Sequence, residues 1–195
     1  MPSNRFSDQH VRHSDFTDQV LVCCPSCSKK ALVNDSGTIM RLVCGQCGYL
    51  KVEYKTRYIL SFKKNCNHCS HPLEVYDNNL SEEITELTIK CPGCKKKETY
   101  PVKCMPYTLS GGRRGGGKEF FFNADLWLKL PFKNEIFWAY NYRHLNYLKE
   151  YIQAGLRENR DREFMSMTEK LPKFMQVAKN RDALLRLIEK LQQKI

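Results

Sequence analysis

The sequence predicts an α+β chain: two small β modules in tandem, then a β-hairpin and a short helical C-terminal region. Three observations predict it. Four Cys-x-x-Cys pairs stand in series between Cys24 and Cys94, in two sets regular enough to mark a repeated module of about 40–45 residues. An aromatic-rich run over 120–142, broken by a polar Lys133-Asn134-Glu135, has the pattern of two strands and a turn. Beyond it, apolar residues recur at helical spacing through residue 195.

The pairs are Cys24/Cys27, Cys44/Cys47, Cys66/Cys69 and Cys91/Cys94. Sixteen residues separate the first pair from the second, and 21 separate the third from the fourth. A tetrahedral Zn²⁺ takes four soft ligands that converge on one point. A Cys-x-x-Cys turn supplies two thiolates, and a second turn on the facing hairpin supplies two more. These eight cysteines are the expected ligands of two structural zinc ions. Four thiolates also suit iron in an electron-transfer centre, which would colour the protein red. Modules this short bury too little apolar surface to fold unaided, and a metal cross-link is the usual remedy. Disulfides are the competing use of ten cysteines. The first residues are polar and mixed in charge, without the apolar core of an export signal, and no run is apolar enough to span a bilayer. The expectation is a cytoplasmic chain with reduced thiols and no membrane partner.

Taken in order, residues 1–20 lack apolar periodicity and read as a flexible tail, with His10 and His13 solvated. The first module covers 21–60. VLVCCPSC is a strand entering a metal turn, KKALV its return, and Asn34-Asp35-Ser36-Gly37 a reversal. TIMRLV then leads into CGQCG, where Gly48 lets the backbone curl round the sulfurs. Residues 49–60 read as one strand with Leu50, Val52 and Tyr54 on one face and Lys51, Glu53 and Lys55 on the other. Cys23, adjacent to Cys24, points the other way in an extended chain and is not expected to ligate. The second module covers 61–107 and repeats the plan, with a turn at Asp77-Asn78-Asn79, a strand over 84–90 and the last metal turn in CPGC. The repeat implies that the two modules pack as similar units. His68 and His71 read as exposed polar residues, and Cys104 as a buried or free thiol.

The runs CPSC…CGQCG and CNHC…CPGC resemble the zinc-ribbon superfamily of IIB-type transcription factors, ribosomal proteins, topoisomerase tails and polymerase subunits. The resemblance covers about residues 22–104. It implies a ribbon fold and zinc at the eight cysteines, and nothing catalytic, because ribbons bind DNA, RNA and proteins alike. The C-terminal run WAYNYRHLNYLKEYIQAGLRE…LPKFMQVAKNRDALLRLIEKL is similar to that of uncharacterised bacterial zinc-ribbon proteins, which supports architecture only.

Residues 108–119 form a Gly- and basic-rich linker. Gly112 to Lys118 matches most of a phosphate-binding loop. Glu119, however, stands where Ser or Thr should hold Mg²⁺, and FFFN follows in place of a helix start. Two readings of the linker remain: an Arg-Gly element lying on phosphates and bases, and a solvated hinge. The last segment, 120–195, opens with strands over 125–132 and 136–140. Their aromatics can serve as a base-stacking platform or as core, core packing being the commoner fate. Leu145, Leu148, Ile152 and Leu156 stripe a helix over about 143–158, and 157–163 is a charged connection. Pro172 opens a short helix carrying Leu171, Phe174, Met175 and Ala178. Asn180 then caps a last helix striped by Leu184, Leu187, Ile188, Leu191 and Ile195.

Lys and Arg outnumber Asp and Glu by 32 to 21, a formal charge of +11. A zinc ion with four thiolates carries −2, so two filled sites bring the total to +7. That balance favours an acidic partner. The expected function is a zinc-binding accessory protein that binds DNA or RNA within a larger assembly, through Lys95, Lys96, Lys97, Arg113, Arg114 and Lys118. The alternative is a protein-interaction adaptor with purely structural zinc. Four cysteines fill each tetrahedron and leave no position for an activated water. No other catalytic constellation stands out, so neither an enzyme nor a small-molecule substrate is expected.

Overall fold

A computed structural model of the chain describes residues 5–6, 11–110, 116–154, 156–157 and 171–194. It is an α+β protein of small antiparallel sheets and short helices, as predicted. The chain divides into two compact units. The first takes residues 1–36, 40–53 and 112–195; the second takes 37–39 and 54–111.

In the first unit, β2 (Gln19–Cys23), β3 (Lys30–Asp35), β4 (Ile39–Val43) and β5 (Leu50–Tyr54) form one antiparallel sheet in that order. Registers Val22↔Ala31 and Val33↔Leu42 place Val20, Val22, Ala31, Val33, Met40 and Leu42 on one buried face. That face packs into the core that also buries the C-terminal elements. These are the hairpin β11 (Leu128–Phe132)–β12 (Glu135–Ala139) and the helices α1 (Tyr142–Gln153), α2 (Lys173–Gln176) and α3 (Arg181–Gln192). The two-residue turn of the hairpin places Lys133 at φ +54°. Leu145, Leu148 and Ile152 of α1, and Leu184, Ile188 and Leu191 of α3, are fully buried at the predicted helical spacing. The aromatics go the same way: Trp127, Phe132 and Phe137 are core residues, and Trp138 packs partly buried against them. Asn180 stands at the N-cap of α3 but does not cap it. Its amide accepts from Lys133 Nζ at 2.7 Å and donates to Phe174 C=O at 2.9 Å, tying hairpin to helices.

The N-terminal segment contributes to this core, unlike a flexible tail. Phe6, in β1 (Arg5–Phe6), pairs in parallel with β13 (Leu156–Arg157) and sets its ring edge-on to Tyr147 and Tyr151. Phe16 stacks on His144 at 4.9 Å, and His13 packs its ring against Tyr140 and His144. Asn141 holds the segment. Its side chain caps α1 by accepting from His144 N–H and donates to the carbonyls of Phe16 and Gln19. Charged neighbours hide two aromatics whose partners lie more than a hundred residues away.

The second unit is a three-stranded sheet, β10 (Met105–Thr108)–β6 (Thr56–Asn65)–β7 (Pro72–Leu80), with a hairpin of β8 (Glu86–Lys90) and β9 (Lys97–Pro101). Its core is small: Leu60, Phe62, Leu73, Tyr100 and three cysteines. The two modules differ in their cores: the sheet of the first belongs to a large core with the C-terminal elements, and the core of the second is small. The run expected as one strand over 49–60 is two, parting at Lys55, whose N–H bonds Thr38 C=O and whose C=O takes Leu109 N–H. Asp77-Asn78-Asn79 does not turn. Asn79 N–H reaches Asp77 Oδ1 at 2.9 Å, but pairing with β6 keeps β7 extended, and the extra residue is absorbed as a bulge of β7, where Asn78 and Asn79 stand opposite the single Ile59 of β6. Among the described residues no helix is long and apolar enough to cross a membrane.

Candidate metal centres

All four cysteine turns have one backbone design. The N–H of the residue after the second cysteine donates to the C=O of the first: Ser28 to Cys24 (2.9 Å), Gly48 to Cys44 (3.1 Å), Ser70 to Cys66 (2.9 Å) and Lys95 to Cys91 (3.0 Å). Each of these residues is left-handed, at φ +59°, +71°, +58° and +63°. The first cysteine's own N–H closes the turn from outside, on Lys29, Tyr49, His71 and Lys96 C=O respectively. The sequence flagged the left-handed position only at Gly48, because Ser and Lys carry no such signal. Gly93 has a different reason. A Cβ there would meet Cys69 Sγ at 3.3 Å and His71 Cβ at 3.2 Å, so any larger residue would press the fourth turn against the third.

The turns converge in two pairs. Cys24, Cys27, Cys44 and Cys47 lie with all sulfurs within 4.8 Å of one another, as do Cys66, Cys69, Cys91 and Cys94. Facing sulfurs are 3.6 Å (Cys24–Cys47) and 3.7 Å (Cys27–Cys44) apart in the first group. In the second they are 3.7 Å (Cys66–Cys94) and 3.6 Å (Cys69–Cys91) apart. Zn–S bonds of ~2.3 Å make a tetrahedron with edges of ~3.8 Å, whereas a disulfide needs ~2.05 Å. The spacing fits a four-coordinate ion and not a disulfide. The eight cysteines form two ribbon-like sites whose geometry fits one structural zinc ion each.

The electrostatics agree with that geometry. The Cys44 thiol falls to about 7, chiefly through the backbone N–H of Cys47 and then that of Gln46. Cys91 falls to about 7, chiefly through the backbone N–H of Cys94. Their neighbours move oppositely. At Cys27 the Lys29 N–H favours the thiolate, but desolvation and the thiols of Cys47, Cys44 and Cys24 together push it up to about 12. Cys69 rises to about 11 against the His71 N–H for the same reasons. Four sulfurs this close cannot all ionise without a cation between them, and a dication removes that conflict.

The remaining cysteines and histidines stand apart. Cys23 pairs across β2–β3 with Lys30, and burial raises its thiol, so it is not a ligand. Cys104 is buried and donates to Ile84 C=O at 3.5 Å. His68 meets Glu98 at 3.8 Å, and His71 serves the third turn through its carbonyl. Glu98 is a hub, accepting from Asn67 (2.6 Å) and Tyr100 (2.8 Å), and those bonds hold its carboxyl below the usual carboxylate range. Among the described residues, only the two cysteine groups bring three or more metal-binding side chains together. His10 lies outside the described residues.

The basic residues singled out in sequence fall in different places. Lys95, Lys96 and Lys97 are exposed on the fourth cysteine turn. The β8–β9 register adds Lys90, directly opposite Lys97, which sequence reading missed although Lys90 adjoins Cys91. Lys118 belongs to the first unit and is engaged, 3.4 Å from Asp125, which also binds Lys129 at 2.6 Å. Arg113 and Arg114 lie outside the described residues. Glu119 explains the phosphate-loop likeness. Its carboxylate is buried and accepts the N–H groups of Phe121 (2.8 Å) and Phe122 (2.7 Å).

No protein-family model, no curated protein and no solved structure matches this chain, which leaves the paired four-cysteine centres as its defining feature.

Proposed function

We propose that this is a zinc-stabilised accessory protein that binds DNA or RNA within a larger assembly, with the fourth cysteine turn as its contact surface. The observation that carries this reading is the lysine cluster there. Lys90 and Lys97 face each other across β8–β9, a like-charge pair that costs stability, and Lys95 and Lys96 fill the turn between them. None of the four is ion-paired among the described residues. Lys95 also holds a left-handed conformation that glycine would adopt more cheaply. Uncompensated lysines on a rigid metal turn suit phosphates, which take point charges without demanding a bidentate fork. IIB-type ribbons, which this pair of sites resembles, work inside assemblies of that kind.

The test is a salt titration of zinc-loaded protein on labelled single-stranded and duplex DNA and RNA. Binding should fall steeply with salt. Changing Lys90, Lys95, Lys96 and Lys97 to Gln should reduce the log–log slope on duplex DNA by up to about 3.6, at ~0.9 per phosphate contact. Lys95→Gly separates the two effects: it should raise the stability of the unit by ~1 kcal/mol and weaken binding. An unchanged slope in the quadruple variant, or no binding at low salt, removes the proposal.

A further inference from the structure

We propose that β5 is a self-association edge, at which two copies of the chain pair antiparallel about a two-fold axis at Val52. Among the described residues β5 ends the sheet, with β4 on one side and no strand on the other. Cys44 N–H donates to Tyr49 C=O and Lys55 N–H to Thr38 C=O at the two ends of the β4–β5 pairing. That alternation sends the N–H and C=O of Leu50, Val52 and Tyr54 away from β4, and of these the Tyr54 C=O accepts from Arg57. The face these residues share is apolar and open: Leu50 is 61%, Val52 39% and Tyr54 60% exposed, beside Val43 at 40%. The row carries no proline, and the charges of the strand, Lys51 and Glu53, lie on its other face, with Lys51 Nζ 5.8 Å from the centre of the Phe122 ring.

The occupant is specified by the strand's own pattern. Leu50-Lys51-Val52-Glu53-Tyr54 is complementary to itself when reversed. Turned about Val52, Lys51 of each copy stands opposite Glu53 of the other, Leu50 opposite Tyr54, and Val52 opposite Val52. Val52 and the Leu50/Tyr54 pairs would exchange the outward backbone bonds, and Tyr54 C=O keeps a lone pair beyond the one that accepts from Arg57. Lys51 and Glu53 would fall in the closely spaced non-hydrogen-bonded pairs, where cross-strand charges act most strongly. They already lie 3.4 Å apart within one chain, so the joined edges make an alternating four-charge ladder. Five paired residues a side bury less than the ~1,000 Å² of a permanent interface, so the dimer is reversible and concentration-dependent.

Sedimentation equilibrium of the zinc-loaded chain, from about micromolar to about millimolar, tests this. The chain should show a monomer–dimer equilibrium. Val52→Lys sets two like charges on the axis and should leave only monomer, with zinc content and tryptophan emission unchanged. Lys51→Glu and Glu53→Lys should each weaken association about tenfold, since each turns two attractive pairs repulsive. The double exchange should restore it, a recovery that no unrelated surface contact would show. A monomer at every concentration, a dimer indifferent to Val52→Lys, or a double exchange that fails to recover overturns the proposal.

Discussion

Cys91→Ala should unfold the second unit and leave the first one folded. The asymmetry comes from what each unit has besides metal. Apart from cysteines, the second unit buries Leu60, Phe62, Leu73 and Tyr100. At ~1.5–3 kcal/mol for each large side chain, that is roughly 6–12 kcal/mol. A structural zinc contributes about 10–16 kcal/mol, comparable to the whole apolar core, so its loss cannot be absorbed. The first unit is different: its core runs from Phe6 to Leu191 through all three of its sheets and all three helices. Cys44→Ala should therefore release one zinc and loosen the sheet edge while α1, α3 and the hairpin stay packed. The assay follows from where the tryptophans lie. Trp127 and Trp138 are both in the first unit, so their emission reports that unit alone. Cys91→Ala should carry one zinc per chain, keep native tryptophan emission, and be cut rapidly by protease within 54–111. If it keeps two zinc ions, resists protease there, or shows the red-shifted emission of an unfolded chain, the division of stability argued here is wrong.

Two other perturbations test particular contacts. Asn141→Ala removes the α1 cap and leaves the Phe16 and Gln19 carbonyls without their donor, which should cost ~2–4 kcal/mol by denaturation followed through tryptophan emission; a loss below ~0.5 kcal/mol contradicts the role assigned to it. The Asp125 carboxyl is held below its ordinary range, chiefly by the bond from Lys129 and then by the Lys129 and Lys118 charges. A depressed carboxyl stabilises the fold above its unfolded value, and that contribution is lost as pH falls through the folded value. Asp125→Asn should therefore be less stable than wild type at neutral pH and equal to it in acid. The gap should stay within ~1 kcal/mol, because the side chain is 45% exposed and screened. Taking the difference cancels the acid loss of zinc common to both proteins, and a gap independent of pH refutes the ion pair.

Much of the metal chemistry was legible in the sequence because it is local. A Cys-x-x-Cys turn is built by five consecutive residues, so spacing alone located all eight sulfurs and grouped them in fours. Helical stripes such as Leu184, Ile188 and Leu191 were legible for a similar reason, since their period is set by the helix itself. What sequence reading could not supply is long-range. Phe6 and Phe16 sit among charged neighbours, and their burial depends on Asn141 and α1. Asp77-Asn78-Asn79 has the composition of a turn, but pairing with β6 outweighed local preference. Leu50, Val52 and Tyr54 alternate correctly with Lys51 and Glu53, yet alternation does not say which face meets the core. Here Val20, Val33 and Leu42 take that side, and the apolar residues of β5 are left in the open. Lys90 shows the same limit on a small scale, since only the β8–β9 register brings it to Lys97.

The measurement closest to the centre of this account is metal analysis of the purified chain with X-ray absorption at the zinc edge. Two zinc ions per chain, each with four sulfur neighbours at ~2.3 Å and no nitrogen or oxygen, is the predicted result. One ion or none, a nitrogen or oxygen in either shell, or a red protein carrying iron would contradict it.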